Sequence, residues 1–222
     1  MKQGLAIAID GPAGAGKSTI SGLLAAATGF ELLDTGAMYR AITWAWLTDC
    51  QESSEILPQT SAETHNFVFD VVSNKMRVLC DGNDISDLIR SSEVTSNVSL
   101  VAAIAEVRDH AVALQRQYVA KTINRGVGII VEGRDIGSTV LPNADLKFFL
   151  TADPIARATR RALELGRNPE DVIQEIIARD ELDTQREASP LRIPEDAVIV
   201  DASHLSIDEV LERMLHQISR VS

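Results

Sequence analysis

One motif near the amino terminus limits the folds that this chain can adopt. Residues 11–18 read GPAGAGKS, which fits the pattern G-x-x-x-x-G-K-[ST]. Residues 5–9 before it form a short apolar run of the kind found in buried strands, and residues 17–28 read as a helix that ends at Gly29. A glycine-rich turn with a chance Lys-Ser pair would leave this flanking strand and helix unexplained. The segment therefore predicts a loop that binds the phosphates of a nucleoside triphosphate.

The residue types in this loop explain how phosphate would be held. Glycines allow the backbone N–H groups to turn inward, and the following helix directs its positive end at the same place. Lys17 can reach the β- and γ-phosphates, and the hydroxyl of Ser18 can ligate Mg²⁺. The loop by itself leaves the reaction open.

The rest of the chain alternates between strand-like and helix-like segments. Further strands are expected at residues 30–33, 127–132, 145–150 and 197–201. Further helices are expected at residues 36–48, 100–124, 154–165, 169–187 and 206–219. This alternation predicts an α/β fold, a P-loop NTPase-type core with a five-stranded parallel sheet flanked by helices. With 222 residues, the chain is expected to form a single domain over 1–222.

One region breaks the alternation. Residues 65–72 and 75–80 are both strand-like, and Ser73 and Asn74 between them give a hairpin signal. We expect a small β-rich insert at about residues 65–90, with the core at about 1–60 and 92–222. The alternative is that these segments are two extra edge strands of the main sheet.

Charge and composition exclude some classes of partner. The chain has 32 acidic and 21 basic residues, a formal net charge of −11. This balance argues against binding to a nucleic-acid polymer or an anionic membrane, although a local basic site could still hold a small anion. The longest apolar runs are too short to span a membrane. Two cysteines are too few for a disulfide framework, so a reducing cytoplasm is expected. No patterned helix requires a partner, so a monomer is expected.

Polar residues follow two of the predicted strands, at the edge where ligands bind in open α/β sheets. Thr35 and Arg40 follow the second strand, and Arg40 is either a phosphate ligand or a solvated helix residue. Glu132 ends the third predicted strand, where it could act on Mg²⁺ through water. Arg134 and Asp135 follow Gly133 directly. Arg134 and Asp135 either bind a ligand or neutralise each other's charge on the surface.

Two later segments place arginines at helical spacing. Arg157, Arg160 and Arg161 share one helix face, and Arg179, Asp183 and Arg186 share another. Alone, each set would indicate a solvated charged face. Phosphoryl transfer between two polyanions, however, needs several cations, and Lys17 alone is too few. We therefore expect an arginine-bearing helical lid at about residues 154–168 that also excludes water.

Together these residues resemble the bacterial cytidylate kinases, a family of nucleoside monophosphate kinases. The resemblance extends from residue 7 to about residue 210. Its motifs are IDGP at 9–12, LDTGAMYR at 33–40, EGRDIG at 132–137, PNAD at 142–145, RD at 179–180 with Asp183 and Arg186, SPL at 189–191 and LSI at 205–207. It implies the transfer of a phosphoryl group from ATP to CMP or dCMP, with Mg²⁺.

The resemblance also implies roles for individual residues. ATP would be bound by Gly11, Pro12, Ala13, Gly14, Ala15, Gly16, Lys17, Ser18, Thr19, Arg157 and Arg161. CMP would be bound by Thr35, Tyr39, Arg40, Ser99, Arg108, Arg134, Asp135, Asp183 and Arg186. Within this set, Ser99, Arg108 and Asp135 would read cytosine, and Arg40, Arg134 and Arg186 would hold the phosphate. The catalytic set would be Asp10, Lys17, Arg134, Arg157 and Arg179, with Ser18 and Glu132 (through water) on the metal. Asp10 would support either the loop or the metal-bound water.

We expect direct in-line transfer without a covalent intermediate, because positioning and charge neutralisation suffice when the acceptor is already a phosphate. The alternatives are a kinase for another small acceptor, such as UMP or an alcohol, and a non-catalytic nucleotide sensor. No other chemistry is indicated. The histidines lack metal-ligand spacing and neither cysteine lies in a reactive motif, so these residues are expected in packing or surface roles: His65, His110, His204, His216, Cys50 and Cys80.

Overall fold

A five-stranded parallel sheet forms the centre of the computed structural model, which describes residues 4–72 and 75–221. The strand order is β2-β6-β1-β7-β8. The strands are β1 (Ala6–Asp10), β2 (Glu31–Asp34), β6 (Ile129–Gly133), β7 (Leu146–Thr151) and β8 (Val198–Asp201). The predicted α/β fold with a five-stranded parallel sheet is confirmed, and each predicted strand lies within two residues of its observed bounds.

Helices cover both faces of this sheet. They are α1 (Lys17–Thr28), α2 (Thr35–Glu52), α3 (Pro58–Thr64), α4 (Ser92–Val101), α5 (Ala105–Asn124), α6 (Pro154–Leu165), α7 (Pro169–Gln185) and α8 (Ile207–Ser219). On one face, Ile9 and Phe148 pack with α1 and α8, for example against Leu24 and Met214. Burial on both faces explains why the central strands are apolar without alternation. Among the described residues, no helix is long and apolar enough to cross a membrane.

The strand register brings polar residues to one edge of the sheet. Asp10 at the end of β1 lies beside Gly133 at the end of β6, and Asp34 at the end of β2 lies beside Glu132. All these strands are parallel, so their carboxyl ends meet at this edge. Residues from three separate segments of the chain thereby surround the start of α1.

The β-rich insert is a separate sheet. Strands β3 (Phe67–Val72), β4 (Lys75–Cys80) and β5 (Asn83–Asp84) form an antiparallel sheet that does not join the main one. The alternative of two extra edge strands is therefore wrong. The apolar side of the insert packs on α2, where Val78 and Ile85 lie in one cluster with Ala41 and Ala45. The predicted turn at Ser73 and Asn74 lies outside the described residues.

Two helical predictions need correction. The helix expected at 100–124 is two helices, α4 and α5, which are separated at residues 102–104. The break leaves the carbonyl of Ala102 available, and Nη1 of Arg108 donates to it at 3.2 Å. The short helix α3 was not anticipated. It begins at Pro58, a residue whose fixed φ suits the first turn of a helix.

Helices α6 and α7 form a hairpin over the same end of the sheet. Ala158 and Ala162 of α6 pack against Val172 and Ile176 of α7. Small side chains on α6 allow the two helices to approach closely. The hairpin contains the arginines that the sequence placed at helical spacing.

Candidate active site

The glycine-rich loop joins β1 to α1 and has an unusual backbone. Gly11 has φ +152° and Gly16 has φ +91°, which are conformations that favour glycine. A Cβ atom on Gly11 would lie 2.0 Å from the carbonyl oxygen of Leu150 in β7. Position 11 therefore requires glycine both because of its backbone conformation and because a side chain would clash with β7. The absence of a side chain lets the loop pack directly against the sheet.

Lys17 lies in the interior of this loop. Its Nζ donates to the carbonyl oxygens of Gly11 and Pro12, each at 2.8 Å. Burial lowers the pKa of Lys17 well below its usual value, and the nearby charge of Arg134 lowers it further. The ammonium group is thus held at the centre of the loop and lacks a full counter-charge, which an anionic ligand would supply.

Ser18 and Glu132 form the side of the site suited to a metal. Oγ of Ser18 donates to Oε1 of Glu132 at 2.8 Å. Oε2 of Glu132 is buried and has no hydrogen bond of good geometry among the described residues. Burial, with the charge of Asp34 second, raises the pKa of Glu132 to about 7. A hydroxyl beside a carboxylate with a free oxygen fits a hydrated Mg²⁺ ion, for which oxygen ligands and retained waters are typical.

Asp10 supports the turn that follows β6. Its two carboxylate oxygens accept hydrogen bonds from the backbone N–H groups of Ile136 and Gly137, each at 2.7 Å. Burial raises its pKa to about 6 even though both hydrogen bonds favour the charged form. These contacts position the segment that contains Arg134 and Asp135. The catalytic role of Asp10 stays a prediction.

The three residues expected near cytosine and phosphate form one buried charge cluster. Asp135 pairs with Nη2 of Arg108 and, at 3.4 Å, with Nη2 of Arg186. The side chains of all three are at most 6% exposed. Arg108 also lies over the ring of Tyr39, with 5.4 Å between its Cζ atom and the ring centre. Residues from α2, α5, the β6 exit and the end of α7 therefore meet at one place.

A second charge cluster lies between this one and the loop. Nε of Arg134 donates to Oδ2 of Asp183 at 2.8 Å. Arg179 of α7 is half-buried, and its buried Nε atom has no hydrogen bond among the described residues. Burial and then the charge of Arg134 lower the pKa of Arg179 to about 10. The two guanidinium groups are therefore close enough for the charge of Arg134 to disfavour the charged form of Arg179.

The remaining predicted acceptor residues line α2 and α4. Oγ1 of Thr35 donates to the carbonyl of Glu132 at 2.7 Å, so this hydroxyl ties α2 to β6. Nη1 of Arg40 donates to Oγ1 of Thr95 at 2.9 Å, toward the insert. Ser99 is half-buried on α4. None of these positions is remote from the clusters above, because α2, α4 and α5 pack together.

The lid arginines differ from one another. Arg157 is buried, and its Nη1 donates to the carbonyl of Ala13 at 2.9 Å and to Oδ2 of Asp180 at 2.5 Å. Arg161 is 42% exposed and pairs with Glu164 on its own helix. In this structure Arg157 holds the loop to α6 and α7, whereas Arg161 is free to reorient.

Asp180 is a residue that the sequence analysis did not assign. Its Oδ1 accepts the backbone N–H of Ala13 at 3.2 Å, and its Oδ2 accepts from Arg157. Both polar backbone groups of Ala13 are thereby held by the lid hairpin. The only sequence signal was its position beside Arg179, and an acidic residue on a charged helix usually faces solvent.

Comparison with known proteins identifies the family. The family model described as "Cytidylate kinase" matches residues 7–220, nearly the whole chain. The chain belongs to the cytidylate kinase family. As members of this family do, it phosphorylates CMP or dCMP with ATP. This confirms the resemblance inferred from the motifs and excludes the non-catalytic sensor.

Individual relatives agree over their full length. A cytidylate kinase of Desulfitobacterium hafniense is 45% identical to this chain, and the alignment covers 97% of this chain and 93% of that relative. A cytidylate kinase of Bacillus subtilis is 40% identical, with both chains covered to 100%. Among solved structures, a gluconokinase from Sinorhizobium meliloti has a TM-score of 0.52 at 13% identity, and covers 100% of this chain and 95% of its own. That likeness concerns the fold alone.

Proposed function

We propose that this cytidylate kinase transfers the γ-phosphoryl group of ATP to CMP or dCMP in a single in-line step. The main support is the convergence of three cations, the buried Lys17 and the half-buried Arg134 and Arg179. Burial lowers the pKa values of both Lys17 and Arg179; the nearby charges of Arg134 and Arg179 lower that of Lys17 further, and the charge of Arg134 lowers that of Arg179 further. Such a cluster favours phosphate oxygens and stabilises the charge that spreads over them during transfer.

The acceptor nucleotide would occupy the space between α2, α5 and α7. Arg40, Arg134 and Arg186 would bind its phosphate, and Thr35 and Asp183 would lie at its sugar. Asp135 would accept a hydrogen bond from the exocyclic amine of cytosine, with Arg108 and Ser99 on the remaining base atoms. Uracil has a carbonyl in place of that amine and would face the carboxylate with an acceptor.

ATP would lie on the glycine-rich loop, with Mg²⁺ bound by the hydroxyl of Ser18 and, through water, by Glu132. When bound, the ion would neutralise part of the charge on the phosphates. Oε2 of Glu132, which is buried and has no hydrogen bond of good geometry among the described residues, supports this assignment. Arg157 and Arg161 would complete the site from the lid at 154–168.

We also propose that the chain divides into the core, an insert at about 65–90 that closes over CMP, and the lid. The proposed assembly is a monomer in a reducing cytoplasm. Both cysteines are free thiols, which is consistent with a reducing compartment. Size-exclusion chromatography with light scattering tests the oligomeric state.

An acceptor assay tests the substrate assignment. ADP release is measured with CMP, dCMP, UMP and AMP at equal concentrations. We expect the two cytosine nucleotides to be preferred, and a clear preference for UMP or AMP would refute the assigned base site. Lys17→Ala should lower turnover by orders of magnitude and leave CMP binding largely intact. Equal activity of this variant would refute the role of Lys17.

A further inference from the structure

A second group of chemically active side chains lies outside the nucleotide site, at the junction of the insert with the core. A ring nitrogen of His65, Sγ of Cys80 and a carboxylate oxygen of Asp81 all lie within 4.8 Å of one another. The separation between Nδ1 of His65 and Oδ2 of Asp81 is 2.6 Å, and that between Sγ of Cys80 and the same oxygen is 3.9 Å. The nucleotide mechanism uses none of these residues.

The local backbone holds this arrangement in place. The register of the insert pairs Phe67 with Cys80, so Asn66 and Asp81 lie opposite each other just beyond the last pair, and His65 is the next residue along from Asn66. The N–H of Asp81 donates to the carbonyl of Asn66 at 3.0 Å, and Oδ1 of Asp81 accepts the N–H of Asn66 at 2.9 Å. Asp81 itself has φ +50°, the turn conformation that follows the strand. The three side chains therefore lie on a short, hydrogen-bonded frame.

We propose that His65, Cys80 and Asp81 bind a zinc-class divalent cation, with water as the fourth ligand. An imidazole nitrogen, a thiolate and a carboxylate are the ligand types that zinc takes, and the thiolate disfavours Mg²⁺ and Ca²⁺. Tetrahedral bonds of ordinary length would place N and O about 3.3 Å apart and S and O about 3.6 Å apart. The observed separations of 2.6 and 3.9 Å differ from these by less than 1 Å.

The other ring nitrogen of His65 supports this assignment. Nε2 lies 3.0 Å from Oδ1 of Asp49 on α2, and Asp49 is held in turn by the hydroxyl of Ser61 at 2.5 Å. A histidine that binds a metal usually donates its second N–H to a carboxylate, which fixes the ring and raises its basicity. Asp49 and Ser61 are therefore positioning residues for the metal site.

Metal binding would exchange protons for the ion. The Cys80 thiol would lose its proton, and Nδ1 of His65 would give up its hydrogen bond to Asp81, with both protons released to solvent. Without the ion, His65 joins the two carboxylates directly. In both states the cluster connects α2 with the β4–β5 turn of the insert, and the ion would strengthen that connection.

Titration with CoCl₂, without nucleotide, tests the proposal on the full chain. Cobalt reports sulfur ligation through a thiolate-to-metal charge-transfer band, which carboxylate or phosphate-loop binding does not produce. We expect saturation at one Co²⁺ per chain and loss of the cobalt bands when ZnCl₂ is added.

Variants with matched controls identify the ligands. Cys80→Ser should abolish the charge-transfer band, and Cys50→Ser, at the chain's other cysteine, should leave it unchanged. His65→Gln should weaken Co²⁺ binding at least about tenfold, as loss of a site residue typically does. Circular dichroism and urea unfolding without metal verify that each variant is folded. Absence of the band in the unmodified protein, its persistence in Cys80→Ser, or unchanged affinity in a folded His65→Gln variant would overturn the proposal.

Discussion

The buried charge cluster around Asp135 allows a quantitative prediction. Asp135 balances two arginines, Arg108 and Arg186, and all three side chains are almost fully buried. Replacing Asp135 by Ala would leave two guanidinium groups in the interior without a counter-charge. Removing one partner of a buried ion pair typically costs about 3–5 kcal/mol. We expect Asp135→Ala to lower the free energy of unfolding by that amount.

An exposed ion pair in the same chain is the matched control. Asp70 pairs with Arg77 at 3.0 Å on the insert, with side chains 53% and 44% exposed. Exposed pairs contribute about 0–1 kcal/mol, so Asp70→Ala should change stability by no more than that. Both variants are measured by urea unfolding without nucleotide. A loss for Asp135→Ala no larger than that for Asp70→Ala would refute the argument from burial.

The same residue can be tested for its role at the base. Asp135→Asn keeps the size of the side chain and removes its charge, so it can be studied when Asp135→Ala is too unstable. Mispairing one buried polar group costs about 1–3 kcal/mol, or about 5- to 150-fold in kcat/KM. We expect the ratio of kcat/KM for CMP over UMP to fall by that factor. An unchanged ratio would place the base reader elsewhere, without affecting the stability prediction.

Three further predictions concern the loop and its supports. Gly11→Ala should lower stability and raise the KM for ATP, because the new Cβ would lie 2.0 Å from a backbone oxygen of Leu150. The control is Gly22→Ala, which has open space around it and should stabilise α1 by about 0.5–1 kcal/mol. Equal unfolding curves for the two variants would contradict this. Asp10→Ala should cost about 2–6 kcal/mol in urea unfolding, since two buried N–H groups lose their acceptor; a loss under about 1 kcal/mol would count against it. Asp180→Ala should raise the KM for ATP more than it lowers kcat, because it frees the backbone at Ala13; steady-state kinetics with an unchanged KM would show that the contact is incidental.

Local sequence patterns were sufficient for the elements of the core. The glycine-rich loop, its flanking strand and helix, and the alternation that follows all depend on interactions between residues near in sequence. Helix α6 and strand β4 have the bounds expected from the sequence. The helix break after α4 was not visible, because Arg108 stabilises it by a contact that forms only when α5 folds back on Ala102.

The candidate site shows the same difference between features predicted from the sequence and features that depend on the tertiary structure. The family resemblance supplied the predicted list of cations, eight of the 21 basic residues, because phosphoryl transfer between two polyanions requires several of them. Their partners required the tertiary structure, because each ion pair joins distant segments: Asp135 with Arg108, and Arg134 with Asp183. Asp180 was missed for this reason, since its partner is a backbone group of the loop.

The histidines and cysteines give the clearest contrast. Their spacing along the chain matched no metal motif, and packing or surface roles were expected for all of them. Antiparallel pairing of β3 with β4 then brings together His65 and Cys80, which have 14 residues between them in the chain, with Asp81 beside them. Sequence determined the phosphate-binding core because its signals are local. Folding alone decided which charges pair and which ligands meet, because those contacts depend on strand register and helix packing.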